Sequence, residues 1–153
     1  MVEVTIEHLE NGEWKPQTIK LDVDTDMALT DETLDQEMCD LPRKIAQYAE
    51  VSAELHAMAA RKKNRVEVVE AEVAQEVRRI NAAAGTKVTE PGIKEAVAVS
   101  AVVTTARNAY YHTDAEFRKV DGFYRSLREK ASLAIALCYK QKAEISAMHG
   151  LIN

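Results

Sequence analysis

The sequence predicts a mainly α protein: a long antiparallel helical hairpin, coiled-coil-like, with a small N-terminal β-hairpin, assembling as a homo-oligomer. Three observations carry this reading. Only five Gly and three Pro occur in 153 residues, too few turn residues for a sandwich, a barrel or a doubly wound sheet. Hydrophobic residues are 46% of the chain but aromatics only 5%, and the Ala- and Val-rich remainder suits closely packed helices. Two long stretches also repeat small and apolar residues at steps of three and four, the signature of a helical seam.

The elements follow in order. Val2, Val4 and Ile6 alternate with Glu3, Thr5 and Glu7, the period of a half-buried strand. Asn11-Gly12 follows, and both residues tolerate the positive φ of a tight hairpin turn. Ile19, Leu21 and Val23 alternate with Lys20, Asp22 and Asp24, which places the two strands at about residues 2–9 and 17–24. An isolated hairpin is marginal in water, so its apolar face must dock on the helices or on another subunit.

Residues 25–40 are acidic, with a short helix expected from Thr30–Thr33 to about Asp40. Pro42 suits the first turn of a new helix, where its missing N–H costs nothing. No Gly or Pro interrupts the chain from there to Ala84, and Gly85 is placed to cap the helix in the left-handed conformation. This first long helix is about 43 residues, roughly 65 Å. After a loop of Gly85-Thr86-Lys87-Val88, Thr89 is a good N-cap with Glu90 and Pro91 in the first turn. From Ile93 to about Met148 only Gly122 interrupts, and one glycine costs about 1 kcal/mol without breaking a helix.

The seam on the first helix reads Ile45, Tyr48, Ser52, Leu55, Ala59, Lys62, Val66, Val69, Val73, Glu76, Ile80, Ala83. On the second it reads Ala96, Val99, Val103, Ala106, Tyr110, Thr113, Phe117, Val120, Tyr124, Leu127, Ala131, Ala134, Cys138, Gln141, Ile145, Met148. A short loop makes the two helices antiparallel neighbours. Val77, Val97, Leu133, Ile135 and Leu137 fall off this seam, and a two-helix hairpin has no second stripe to cover them. The leftover surface calls for sibling subunits or the β-hairpin. The chain thus divides into an acidic β-hairpin segment, 1–41, and a two-helix domain, 42–153.

The net charge of −5 is unevenly spread. Residues 1–42 hold two Lys/Arg against twelve Asp/Glu, and residues 43–153 hold eighteen against thirteen. A basic body with an acidic segment suggests a polyanion partner. No run of about 18 apolar residues is present, so no membrane span is expected. The opening MVEVTIEHLE has neither a basic nor an apolar leader region. Cys39 and Cys138 fit no metal or redox spacing and read as reduced thiols, which points to the cytoplasm.

Catalytic patterns are missing. His8, His56, His112 and His149 are scattered, and no phosphate-loop, dinucleotide or nucleophile-elbow motif occurs. Asp22, Asp24 and Asp26 resemble the start of a calcium loop but lack its glycine and closing glutamate. Neither an enzyme nor a cofactor is expected.

The basic residues are the chemistry on offer. Arg61, Lys62, Lys63 and Arg65 lie midway along the first helix, and Arg78-Arg79 lies near its end. The antiparallel return gathers Arg78, Arg79, Lys87 and Lys94 at the loop end, where positive charge suits a phosphate backbone. A third group, Arg118-Lys119, Arg125, Arg128 and Lys130, lies on the second helix. Tyr110, Phe117 and Tyr124 fall on the seam, which leaves Tyr111 and Phe123 as base-stacking candidates.

The stretch ELHAMAARKKNRVEVVEAEVAQEVRRINAAAG, the connection KVTEPGIKEAV and the Ala-rich helix ending in CYKQKAEISAM resemble the phage recombination mediators of the UvsY type. The likeness is one of order, spacing and character over roughly residues 45–148. It implies a helical homo-oligomer, in that family a ring, that binds single-stranded DNA. It further implies help in loading a RecA-like recombinase onto strands covered by single-strand-binding protein, in a host cytoplasm. The family's basic stretch at the end of the first long helix corresponds to Arg78 and Arg79 in EVRRI. Val77 stands where a further basic residue is expected, and the acidic segment 1–42 departs from the family pattern. Two other readings stand beside it: a phage scaffolding coiled coil that binds no DNA, and an inhibitor that mimics DNA through its acidic segment.

Overall fold

The structure, a computed structural model, describes residues 1–152; the side chains of residues 31 and 149–152, His149 among them, lie outside the described set. Strands β1 (Val2–Glu10) and β2 (Glu13–Leu21) are followed by α1 (Val23–Met27), a single 3-10 turn (Asp31–Thr33), α2 (Leu34–Ala83), α3 (Glu90–Val99) and α4 (Ala101–Ile152). The protein is mainly helical, α2 and α4 pack together, and the two strands form an antiparallel hairpin.

Asn11 and Gly12 form the hairpin turn at φ 53° and 85°. Positive φ at both positions suits the right-handed twist of the strands. The two-residue turn sets Glu10 opposite Glu13 and Val2 opposite Leu21. The second strand therefore begins at Glu13 and ends at Leu21, earlier than the alternation at 17–24 suggests. Val23 and Asp24 belong to α1 instead. Pro16 lies within β2, opposite Glu7 and exposed.

One expected pair of helices is a single one. The 3-10 turn runs straight into α2 at Leu34, and Pro42 lies inside that helix. The proline deprives the Met38 carbonyl of its helical donor, yet Leu34, Leu41 and Tyr48 beside it are buried, so tertiary burial outweighs the lost bond. The C-terminal cap of α2 is as expected. Gly85 has φ 68°; its N–H donates to the Ala82 carbonyl (3.1 Å), and that of Thr86 donates to the Asn81 carbonyl (2.9 Å). This pair of bonds is the Schellman arrangement.

The expected second helix is two. Gly122 is accommodated inside α4, whereas Ser100 breaks the run with φ −64° and ψ 124°. Its carbonyl accepts from the Thr104 N–H at 2.9 Å, so Ser100 stands at the N-cap of α4, a position serine favours.

The chain forms two compact units. The first comprises Met1–Glu54 and Arg118–Asn153. Val4, Ile6 and Leu21 are buried in it, and Ile6 and Ile19 border a shallow cleft with Gln47, Glu50 and Val51 of α2. The hairpin thus docks on the chain's own helix. From α4, Val120, Leu127 and Ala134 are fully buried.

Beside them sits a buried ion cluster. Lys130, 5% exposed, donates to the Asp26 carbonyl at 2.8 Å and to the Glu37 carboxylate. Lys44 reaches Glu37 at 3.2 Å and Asp26 at 3.3 Å. The Tyr48 hydroxyl donates to Asp26 at 3.0 Å. Burial pushes the Glu37 carboxyl up, but bonds from Lys130 and Lys44 hold it below its ordinary 4.5. Burial pushes the Tyr48 phenol up, and the Asp26 carboxylate adds to that. Lys130, read from sequence as one of a basic surface group, is an internal tie.

The second unit is Leu55–Phe117. Leu55, Met58, Ala59 and Val69 of α2, Ile93 of α3, and Val103 and Thr113 of α4 are buried. Lys62 contacts Thr113 and Glu70 contacts Arg107, so rising numbers on α2 meet falling numbers on α4, as in an antiparallel pair. The predicted seam is buried or half-buried from Ile45 to Val73 and from Val103 to Gln141. Beyond those limits Ala96 is half-buried and the rest of the seam departs. Glu76, Ile80 and Ala83 are exposed while Val77 and Asn81 are half-buried. A straight helix drifts about 20° per heptad, and the nearby helix there is α3, since Arg78 meets Glu90. Val99 is 77% exposed, Ile145 54% and Met148 60%.

Replacing Lys130 with Ala leaves Glu37 short of a partner in a buried setting, and should cost about 3–5 kcal/mol in urea unfolding. Because the folded Glu37 pKa lies below its unfolded value, its contribution is present above pH 4.5 and lost as pH falls through the folded value. Acid titration of wild-type stability should show this loss, and Glu37→Gln should flatten it.

Candidate nucleic-acid interface

The first two basic groups read from the sequence, eight residues proposed to contact DNA, lie in the second unit, and the third group, Arg118 to Lys130, lies in the first. Arg61, Lys62, Lys63, Arg65, Arg78 and Arg79 are on α2, Lys87 is in the loop, and Lys94 is on α3. The described residues of this unit hold nine Lys/Arg against eight Asp/Glu, so its cations are set among nearly as many carboxylates.

Their surroundings differ. Lys62 is turned into the seam, where its ammonium donates to the Thr113 hydroxyl at 2.9 Å. Thr113 is buried and in turn donates to the Ala109 carbonyl at 3.1 Å. Arg61 is half-buried, whereas Lys63 and Arg65 are exposed. Arg65 lies 3.9 Å from Glu72 and borders a shallow apolar groove with Val69, Ala101, Val102 and Thr105.

At the loop end, Arg78 and Lys94 line one open cleft together with Arg107, Glu67, Glu70 and Glu90. Arg78 bonds to Glu90 at 3.2 Å, and Arg107 to Glu70 at 2.7 Å. Arg79 points to Glu76 instead, at 2.6 and 2.7 Å. That pairing holds the Glu76 carboxyl below and the Arg79 guanidinium above their ordinary values. The structure therefore brings Arg78 and Lys94 together but does not draw Arg79 into the same cleft. Lys63, Lys87 and Lys94 are exposed and make no ion pair among the described residues.

Arg107, outside the three basic groups of the sequence, also lines this cleft. Its signal was present: thirty-seven residues separate it from Glu70, and both fall beside the seam of an antiparallel pair. The third helix supplies the cleft wall. Thr89 caps α3, its hydroxyl accepting from the Gly92 N–H at 3.3 Å, and Ile93 anchors the helix in the unit's core.

Of the stacking candidates, Tyr111 is exposed and its ring lies 5.3 Å from that of Tyr110. Phe123 is half-buried. Among the histidines, His56 lies against Phe117 at 4.9 Å and His112 lies 3.5 Å from Glu116. No group of His, Cys, Asp or Glu among the described residues could hold a metal ion. Among them, too, no helix is long and apolar enough to cross a membrane.

Compared with models of protein families, with curated proteins and with solved structures, the chain matches none. The geometry thus defines a class of surface, exposed cations interspersed with carboxylates on paired helices, and no relative narrows it further.

Thr89→Ala removes the side-chain cap of α3 and should lower stability by about 1 kcal/mol. The expected result is a lower melting temperature, with far-UV circular dichroism otherwise retained.

Proposed function

We propose that the chain is a recombination mediator of the UvsY type, which binds single-stranded DNA as a homo-oligomer. In this reading it helps load a RecA-like recombinase onto strands covered by single-strand-binding protein. The observation that carries the reading is the set of exposed cations of the second unit, Lys63, Lys87 and Lys94, which lie outside any ion pair of the described residues.

The neighbouring carboxylates do not argue against this. Exposed ion pairs such as Arg78–Glu90 contribute about 0–1 kcal/mol, so a phosphate can displace the carboxylate at little cost. Phosphate contacts that are weak singly become strong when several subunits present them at once. Oligomer formation is supported by apolar residues left in solvent by one copy: Val68, Ile80, Val99 and Val102 in the second unit, Leu133, Ile145 and Met148 in the first. The mechanism is mechanical. The oligomer holds the strand in a shape that favours the recombinase over its competitor.

A second reading, a phage scaffolding protein that binds no DNA, draws on the same ion pairs. Arg78, Arg79 and Arg107 each have a carboxylate within 3.2 Å, and a scaffold would keep them there. A titration of labelled oligodeoxythymidine against salt separates the two. The mediator binds without sequence preference and weakens steeply with salt; the scaffold does not bind. Reversing both charges, Arg78→Glu with Arg79→Glu, should cut affinity at least ten-fold and flatten the salt slope by about 1.4 per subunit. Undiminished binding by this variant as an intact oligomer removes the proposed face.

A further inference from the structure

Arg125, Arg128, Ser132, Ile135, Tyr139 and Lys142 recur along α4 at steps of three and four residues, so they share one flank of the helix. Each is one position on from a seam residue, Tyr124, Leu127, Ala131, Ala134, Cys138 and Gln141, and so about 100° around the helix from it. All six are exposed, whereas the seam residues are buried or half-buried. The flank lies wholly in the first unit and is about 25 Å long at the helical rise.

Two open clefts follow one another along it. The first is polar and cationic, lined by Arg125, Arg128, Glu129 and Ser132. Arg125 is steadied by Asp121 at 2.7 Å, and the Arg128 guanidinium lies 5.8 Å from the centre of the Tyr124 ring. Both arginines keep donors facing solvent. The second cleft is mainly apolar, lined by Met38 of α2 with Ile135, Cys138, Tyr139 and Lys142, and encloses about 410 Å³. Tyr139 is 71% exposed, and Lys142 makes no ion pair among the described residues.

A cationic track beside an aromatic-walled apolar cleft matches one ligand chemistry, a flexible polyanion with free π-faces. A duplex hides its base faces. A second copy of this chain is disfavoured by charge: laid antiparallel on the same flank, it would set Arg125 against Lys142 and bring cations together.

We propose that this flank of α4 is a further contact for single-stranded nucleic acid, with phosphates on Arg125, Arg128 and Lys142 and a base seated on Tyr139 against Ile135 and Met38. The proposal rests on the reading of the chain as a single-strand binder, and extends it to a second surface.

The test compares short oligodeoxythymidine with an abasic oligomer of equal length, by fluorescence anisotropy on the full chain. Tyr139→Ala should weaken binding of the thymidine oligomer about five-fold or more and leave the abasic one unchanged; Tyr139→Phe should bind both as wild type. Arg125→Ala with Arg128→Ala should weaken both ligands. If wild type and the Arg78/Arg79 charge reversal differ as expected but the α4 variants bind as wild type, the flank is not a contact and the single-strand reading stands. If wild type binds neither oligomer, both proposals fall. If the α4 variants change the assembly's mass in native mass spectrometry, the flank is a subunit interface and the proposal is overturned.

Discussion

Two helices side by side share only one stripe, and everything else in this protein is arranged around that limit. In the second unit the stripe is lined by Ala59, Val69 and Val103, and in the first by Val120, Leu127 and Ala134, all buried, mostly side chains short enough to let the helix axes approach closely. Where a polar residue enters it, as Lys62 does, it is met by a hydroxyl, Thr113, because an unmet buried ammonium costs several kcal/mol. Large apolar residues off the stripe, Leu133 and Ile135 among them, stay in solvent.

The first unit solves its charge problem by the same rule. Residues 1–42 hold twelve acids against two bases, whereas residues 43–54 with 118–153 hold nine bases against five acids. The two halves meet at Asp26, Glu37, Lys44 and Lys130, where burial removes the screening that weakens surface pairs. The acidic lead segment is accordingly an integral layer of its unit, tied down by named contacts.

Much of the fold could be read from sequence because its signals were local. Asn11-Gly12 declared its turn, and Gly85 and Thr89 declared a helix end and a helix start, each through a backbone requirement of the residue itself. The structure departs from the local pattern where a tertiary or competing signal wins. The alternation at Ile19, Leu21 and Val23 continues beyond the end of the strand at Leu21, whereas the two-residue turn fixes where the second strand runs. Pro42 favours a helix start, but burial of Leu34 and Leu41 extends the helix back past it. Ser100, neither Gly nor Pro, carries no local sign of the break it makes between α3 and α4. At the interface the charges were legible but their partners were not: that Lys62 bonds Thr113, or Arg78 bonds Glu90, depends on which turns of two distant segments face each other.

Pro16 has a consequence of its own. In a hairpin closed by a two-residue turn, the backbone groups of residue 16 face away from β1. Proline carries no hydrogen there, so the outer rim of β2 offers an incomplete ladder to any passing strand. A two-stranded sheet would otherwise recruit extended segments of other chains when concentrated. This one ring-closed residue makes the outer rim of β2 a poorer template for strand addition.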